Sequence, residues 1–304
     1  MKEMNEDTTS RCASCGKPEL DDIKLRTCTA CKSVRYCGVT CQRNHRPKHK
    51  KSCKKRAAEL RDEILLKQPE SSHLGDCPIC CLPIPLDADE WSPYLCCSKF
   101  ICHGCLHANM EREADEEVKF KCPFCRCPLG EGEALKHHQK RVEANDPYAL
   151  YVSGATYQSE GNPESALKQW TKAAELGDAT AHFTLSVWYR KGQGVEKDEE
   201  KQVYHLEEAA IAGHPDARFN LGNHEGRSKR FDRAIKHYII AANLGHGKSI
   251  QALKELYKAG IVSNEHFAAA LRAHKAAVDA TKSPQREMGK VWEARARQQM
   301  NKQK

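Results

Sequence analysis

The placement of cysteine constrains this chain more than any other feature. All 17 cysteines fall between Cys12 and Cys127, and none lies beyond. Most come as Cys-x-x-Cys knuckles: Cys12/Cys15, Cys28/Cys31, Cys77/Cys80, Cys102/Cys105 and Cys122/Cys125. Such a knuckle holds two thiolates about one tetrahedral edge apart, a spacing that suits zinc. In the first array, Cys37-x3-Cys41 and His49-x3-Cys53 bring the ligands to eight. In the second, the three knuckles supply six, and Cys96 and Cys97 stand between the first two of them, where two more are needed. Sixteen ligands make four tetrahedral sites. Each would have four protein ligands and no open position, so the expected role is structural. His45 competes with His49, and His103, inside a knuckle, is a weaker competitor for the second array.

The opening residues MKEMNEDTTSRC are polar and do not read as a secretory signal. No apolar run approaches the ~20 residues that span a bilayer. A reducing compartment, cytoplasmic and/or nuclear, is therefore expected, where clustered knuckles mean metal and not disulfides. A segment of roughly 42 residues such as 12–53 cannot bury enough apolar surface to fold alone. Zinc binding, on the order of 10–16 kcal/mol per structural site, would supply what the core lacks.

Residues 36–53, YCGVTCQRNHRPKHKKSC, resemble the second half of a MYND zinc finger through Tyr36-Cys37, Cys41-Gln42 and His49-Lys50. The resemblance implies interleaved ligands: Cys12, Cys15, Cys37 and Cys41 for one ion, and Cys28, Cys31, His49 and Cys53 for the other. MYND fingers commonly bind short proline-containing peptides in a groove that a Trp helps to line. Gln42 is kept here, but Arg46 stands in the Trp position.

Residues 77–126 resemble a RING finger in an all-cysteine form, with Lys99 where the usual His would stand. The resemblance implies a cross-brace, with Cys77, Cys80, Cys102 and Cys105 on one ion and Cys96, Cys97, Cys122 and Cys125 on the other. It also implies a ubiquitin ligase that holds a ubiquitin-conjugating enzyme. Ile79, Pro123 with neighbouring Phe124, and Arg126 match the residues that contact the enzyme or ubiquitin, and guanidinium suits a bridging role. The apolar helix position is Asn109 here, so Leu106 or Met110 would have to compensate. The bland alternative is that Ile79 and Pro123 pack a small core and Arg126 pairs with an acid of 111–117. Residues 106–120 read as the finger's helix, with Leu106, Met110 and Ala114 on one face. Cys81 and Cys127 are left over, and neither has a supporting base.

The chain carries a net charge of +8. From Arg43 to Arg61 stand nine Lys/Arg and one acid, Glu59. This run reads as a solvated helix face or a localisation patch, or as a nucleic-acid contact. No aromatic residue is interleaved, so base stacking is not indicated and nucleic acid is not the expected partner. Gln68 to His73 reads as a linker.

Residues 142–258 are alanine-rich and repetitive. Ala149, Ala181 and Ala217 correspond, as do Ala173-Ala174, Ala209-Ala210 and Ala241-Ala242, and Gly177, Gly213 and Gly245 close the three units. The middle unit with its KGQGVEKD loop resembles a Sel-one-like repeat, related to the tetratricopeptide repeat. Stacked units would present a curved surface for a protein or peptide, or serve only as a spacer. His137 and His138 are expected to face solvent on a helix.

The expected fold is multidomain: two small zinc-stabilised α+β fingers followed by an all-α helical-repeat solenoid. The expected boundaries are a disordered tail (1–11), a MYND-type finger (12–53), a basic helix and linker (54–74), a RING-type finger (75–130), repeats (131–260), and capping helices with a basic tail (261–304). The leading functional expectation is a zinc-binding RING-type ligase with substrate on the repeats. The rivals are a non-enzymatic interaction scaffold and a nucleic-acid-associated regulator acting through residues 43–61.

Overall fold

A computed structural model describes residues 11–115, 121–128 and 130–302. The expected tail, apart from Arg11, and the side chain of Ala114 lie outside the described residues. The chain forms two compact units that divide between Lys67 and Gln68.

In the first unit, strands β1 (Arg26–Thr27) and β2 (Arg35–Tyr36) pair antiparallel, with Arg26 opposite Tyr36. Helix α1 (Val39–Leu65) follows. The core consists of Cys12, Leu25, Cys28, Cys31 and Tyr36, with Ile23 and Val34 against it. So few apolar side chains cannot offset the ordering entropy of the segment without metal. Helix α1 runs unbroken through position 53, where the sequence reading placed a boundary. Beyond Cys53, Arg56 bonds to Glu59 at 3.2 Å and Glu63 at 2.9 Å, one and two turns on, which supports the helix past the finger.

The second unit opens with an arm that the sequence reading took for a linker. It is docked instead. The His73 N–H donates to the Gly213 carbonyl at 3.1 Å, and Gly213 lies so close that a Cβ there would meet the Ser71 carbonyl at 2.7 Å. The His73 ring stacks on His214 at 4.2 Å, and His214 stacks on Phe183 at 4.4 Å. Burial pushes His73 down to about 4 and His214 down to about 3; Asp216 opposes these shifts, and His246 adds to that of His214. An unfolded His titrates near 6.5, so between about pH 6.5 and 4 the unfolded chain binds protons that the folded unit refuses. Stability from this stack is therefore complete above pH 6.5 and falls as pH drops. We expect a loss on the order of 1–2 kcal/mol per histidine between pH 6.5 and 5. Urea midpoints at the two pH values should show it, and a His214→Phe variant should flatten the slope. An identical slope in that variant would remove the stack as the cause.

Strands β3 (Trp91–Tyr94) and β4 (Lys99–Cys102) form the second finger's hairpin, with Trp91 opposite Cys102 and Tyr94 opposite Lys99. Helix α2 (His103–Asp115) follows. Ile84, Tyr94 and Ile101 are buried among its cysteines. A bridging helix α3 (Glu131–Glu143) leads to the repeats. His137 and His138 on α3 are half-buried, not solvent-facing, and burial lowers the pKa of His138.

The repeats pair α4 (Pro147–Ser159) with α5 (Pro163–Glu175), α6 (Ala179–Lys191) with α7 (Glu199–Ile211), and α8 (Pro215–Arg227) with α9 (Phe231–Asn243). The corresponding alanines do two jobs. Ala173, Ala209, Ala210, Ala241 and Ala242 have no exposed surface, so neighbouring helices approach closely. Their carbonyls also accept the bonds that end each second helix. Asp178 and Gly177 donate to Ala173 and Ala174, His214 and Gly213 to Ala209 and Ala210, and His246 and Gly245 to Ala241 and Ala242. This double bond needs a left-handed residue at the turn, and Gly177, Gly213 and Gly245 have φ of 90°, 85° and 89°. Asp146, Asp178 and Asp198 cap α4, α6 and α7 through their side chains.

Helix α10 (Gly247–Lys258) and helix α11 (Asn264–Ala280) pack on α9 and close the stack. Helix α12 (Pro284–Lys302) does not join them as a cap. It packs on α2 of the second finger. The reason is a pair of facing glycines: a Cβ on Gly104 or Gly289 would lie 2.7 Å from the other helix's backbone. No helix of the described residues is long and apolar enough to cross a membrane.

Candidate metal centres and the surfaces around them

The fold brings the sixteen predicted ligands into four groups: Cys12, Cys15, Cys37, Cys41; Cys28, Cys31, His49, Cys53; Cys77, Cys80, Cys102, Cys105; and Cys96, Cys97, Cys122, Cys125. Within each group the ligand atoms lie within 4.8 Å of one another. Observed separations include Cys37–Cys41 at 3.5 Å, Cys28–Cys53 at 3.8 Å, Cys80–Cys102 at 3.8 Å and Cys97–Cys122 at 3.6 Å. Zinc–sulfur bonds of about 2.3 Å give tetrahedral edges of about 3.8 Å, so the groups fit zinc. In each finger the two sites interleave along the chain.

The competing histidines are accounted for elsewhere. The His45 Nδ1 meets the Tyr36 hydroxyl at 3.1 Å, and its ring stacks on His49. The His49 Nε2 lies 3.3 Å from Cys31 Sγ, and its Nδ1 is 3.3 Å from the Ser52 hydroxyl. Ser52 thus holds the ring from behind, as supporting groups do for metal-bound imidazole. His103 turns to Ser92, 2.9 Å from Nε2, and joins no ligand group.

One backbone device builds the knuckles. The Cys12, Cys28, Cys77 and Cys122 carbonyls accept from the N–H four residues on, at 2.8 to 3.0 Å. Each donor residue adopts positive φ: Gly16 at 74°, Lys32 at 56°, Cys81 at 55° and Arg126 at 57°. This gives the leftover Cys81 its place, as the residue that turns the first knuckle of the second finger. Cys127 is buried, and its thiol donates to the Pro128 carbonyl at 3.3 Å.

The electrostatics call for a cation. A hydrogen bond from Cys102 brings Cys77 down to about 4, and its partner Cys102 is pushed up in turn. Burial pushes Cys97 and Cys105 up to about 12 and raises Cys96 as well. Four thiols this close cannot all ionise beside one another, and a divalent ion removes that penalty.

Around the centres, Ile79 is 46% exposed and stands outside the finger's core. Leu106 and Phe124 lean against that core instead. Phe124 meets Tyr94 edge-on at 5.8 Å and lies under the Lys99 ammonium at 5.1 Å. Pro123 is half-buried, and Arg126 is exposed with no ion-pair partner among the described residues. Asn109 accepts from Arg112 at 3.2 Å. On the first finger, a cleft of about 570 Å³ runs along α1, with Tyr36, Val39 and Ala57 in its lining and Arg43, Arg46, Lys50 and Lys54 around it. Arg46, in place of the expected aromatic, makes this cleft cationic.

Residues 12–53 match the MYND finger family, and residues 148–178, 179–214 and 215–246 match the Sel1 repeat. The chain carries a MYND finger and three Sel1 repeats. It is similar to chitin synthase regulatory factor 4 of Schizosaccharomyces pombe, 29% identical over 134 residues, which are 42% of this chain and 21% of that protein. The chain thus spans about a fifth of that relative's length. Among solved structures it is similar to a Sel1 repeat protein from Oxalobacter formigenes (29% identity, 40% of this chain and 97% of that one, TM-score 0.38). It is also similar to c5321, a protective antigen of uropathogenic Escherichia coli displaying an SLR fold (20% identity, 47% and 33%, TM-score 0.39). The MYND finger and the repeats are modules of protein interaction, and this chain joins them to a second two-centre finger.

Two residues that sequence spacing does not reveal complete the centres. Ser52 is visible only as His49's neighbour one helical turn on. Arg286, which reaches Cys80 from 206 residues along the chain, has no local signal at all.

Proposed function

We propose that this protein is a zinc-dependent interaction adaptor whose second finger acts as a RING-type module. That module would recruit a ubiquitin-conjugating enzyme while the Sel1 solenoid holds a protein or peptide substrate. The carrying observation is Ile79. A side chain present only to fill the finger's core would be buried, yet Ile79 stands 46% exposed between two ligands of one centre. The interleaving of the two centres and the exposed Arg126, which has no ion-pair partner among the described residues, support the same reading. The finger itself performs no covalent step. It holds the conjugating enzyme so that the ubiquitin thioester is poised for attack, and Arg126 would bridge the two. The similarity to a regulatory factor agrees with an adaptor role for the shared segment.

The test is self-ubiquitination with activating enzyme, a panel of conjugating enzymes, ubiquitin and ATP. Wild type should build chains, and Ile79→Ala and Arg126→Ala should cut the rate by tenfold or more, about 1.4 kcal/mol each. Arg126 already occupies the left-handed region, so alanine there adds no new backbone conformation and the loss reports on the guanidinium. No chains with any conjugating enzyme, from protein carrying its zinc, would leave the adaptor without ligase activity. Asn109, polar where an apolar contact is expected, would be the cause to examine first.

A further inference from the structure

The first turn of α12 lies against the second finger's first metal centre. Arg286 on α12 is 3% exposed. Its Nη2 donates to the Cys80 Sγ at 3.2 Å and to the Leu82 carbonyl at 3.0 Å. Its Nη1 donates to the Pro83 and Thr281 carbonyls, both at 2.7 Å. The Leu82 carbonyl is the one that also accepts from Cys77 N–H at 2.9 Å and so closes the Cys77–Cys80 knuckle. One guanidinium therefore grips both a ligand sulfur and the backbone that aims it. The helix is brought there by contacts of its own. Gly289 meets Gly104 at close range, the Gln285 amide donates to the Gly104 carbonyl at 3.3 Å, and Trp292 lies against His107 at 5.4 Å. Lys290 pairs with Glu90 at 3.1 Å.

We propose that Arg286 is a positioning residue for the zinc ion of Cys77, Cys80, Cys102 and Cys105, and that α12 is an integral part of the second finger. Four thiolates around one divalent ion leave an excess of negative charge in a buried site. A fixed, planar, always-charged group at hydrogen-bond distance offsets that charge and prevents the Cys80 sulfur from swinging away. The arrangement has a mechanical consequence. The finger is held at its start by the docked arm 68–75 and on α2 by α12, with the whole solenoid in between. The repeats and the finger are thus tied together as one body. The proposal rests on the metal centre and not on the ligase reading.

The test is zinc release from the full chain to a chromogenic chelator, with native mass spectrometry counting the ions that remain. Supporting groups of metal ligands are worth about 10–100-fold in affinity. In Arg286→Ala, one zinc of four should therefore leave 10–100-fold faster, while three leave at the wild-type rate. Trp292→Ala loosens the helix but keeps the guanidinium, and should accelerate release less. Release of all four ions from Arg286→Ala at the wild-type rate overturns the proposal, and so does equal acceleration by Trp292→Ala, which would make docking alone sufficient. If the alanine variant fails to accumulate, Arg286→Lys keeps the charge but loses the fork. It should still release one ion faster, and wild-type behaviour there is equally fatal. Faster loss of the zinc held by Cys77, Cys80, Cys102 and Cys105 in Arg286→Ala supports this proposal whether or not ubiquitin chains form, and absent chains from zinc-loaded wild-type protein would fail only the ligase reading.

Discussion

Chelation of zinc should unfold both fingers and leave the Sel1 solenoid helical. Four centres with four protein ligands each contribute on the order of 10–16 kcal/mol apiece, far more than the few buried apolar side chains beside them can replace. The solenoid contains no ligand. Its stability comes from the buried alanine pairs and the Trp170–Leu185–Trp188 cluster. After chelation, amide protection should vanish over residues 12–53, 77–115 and 121–128 and persist over 147–258. Helix α12 should lose protection as well, because its docking partner is gone. Native mass spectrometry before chelation should count four zinc ions per chain. A count of two or three would break one of the assigned ligand groups, and protection that survives in the fingers would show a metal-independent core.

The second large effect is expected in the first repeat. Trp170 is 1% exposed, donates through Nε1 to the Tyr151 carbonyl at 3.0 Å, and meets Trp188 edge-on at 4.8 Å. It fills the space that Gly154 leaves open, since a Cβ on that glycine would lie 2.5 Å from the Trp170 ring nitrogen. Trp170→Ala removes the ring, opens a cavity against a glycine that cannot fill it, and takes the indole hydrogen bond from the Tyr151 carbonyl. The expected cost is about 3–5 kcal/mol, read as a shift in the urea midpoint of the helical signal. Because each repeat touches only its neighbours, the loss should propagate along the stack as weakened cooperativity. Zinc stoichiometry should stay at four, which separates this defect from a metal defect. A cost below about 1 kcal/mol would show that the neighbouring helices collapse onto the site.

Much of this protein is readable from its sequence because zinc chemistry and helical repeats are both local. Cys-x-x-Cys specifies a knuckle within a few residues, and the Ala-Ala…Gly pattern specifies a helix end within one turn. The repeat pattern and ten of the candidate ligands follow from these alone, and the MYND finger follows from the resemblance carried by residues 36–53. Within the repeats, sequence comparison matched the alanines and closing glycines but passed over Gly154 and Gly222. Their role appears only opposite Trp170 and Tyr238, whose rings occupy the space where each Cβ would stand.

What the chain alone determined is therefore the knuckles, the candidate ligands and the repeat pattern, each dictated by chemistry between near neighbours, while the grouping of ligands into centres came from family resemblance. The tertiary structure decided what depends on distant segments meeting. It excluded His45 and His103 by giving them Tyr36 and Ser92 as partners, and left Ile79 exposed while turning Phe124 inward. It docked the supposed linker on Gly213 and His214. It also sent the last helix to the second finger instead of onto the stack. The physical reason is the same throughout: hydrogen bonds and close backbone approaches such as Arg286 to Cys80 or Gly104 to Gly289 carry no periodicity, and exist only once the chain has closed on itself.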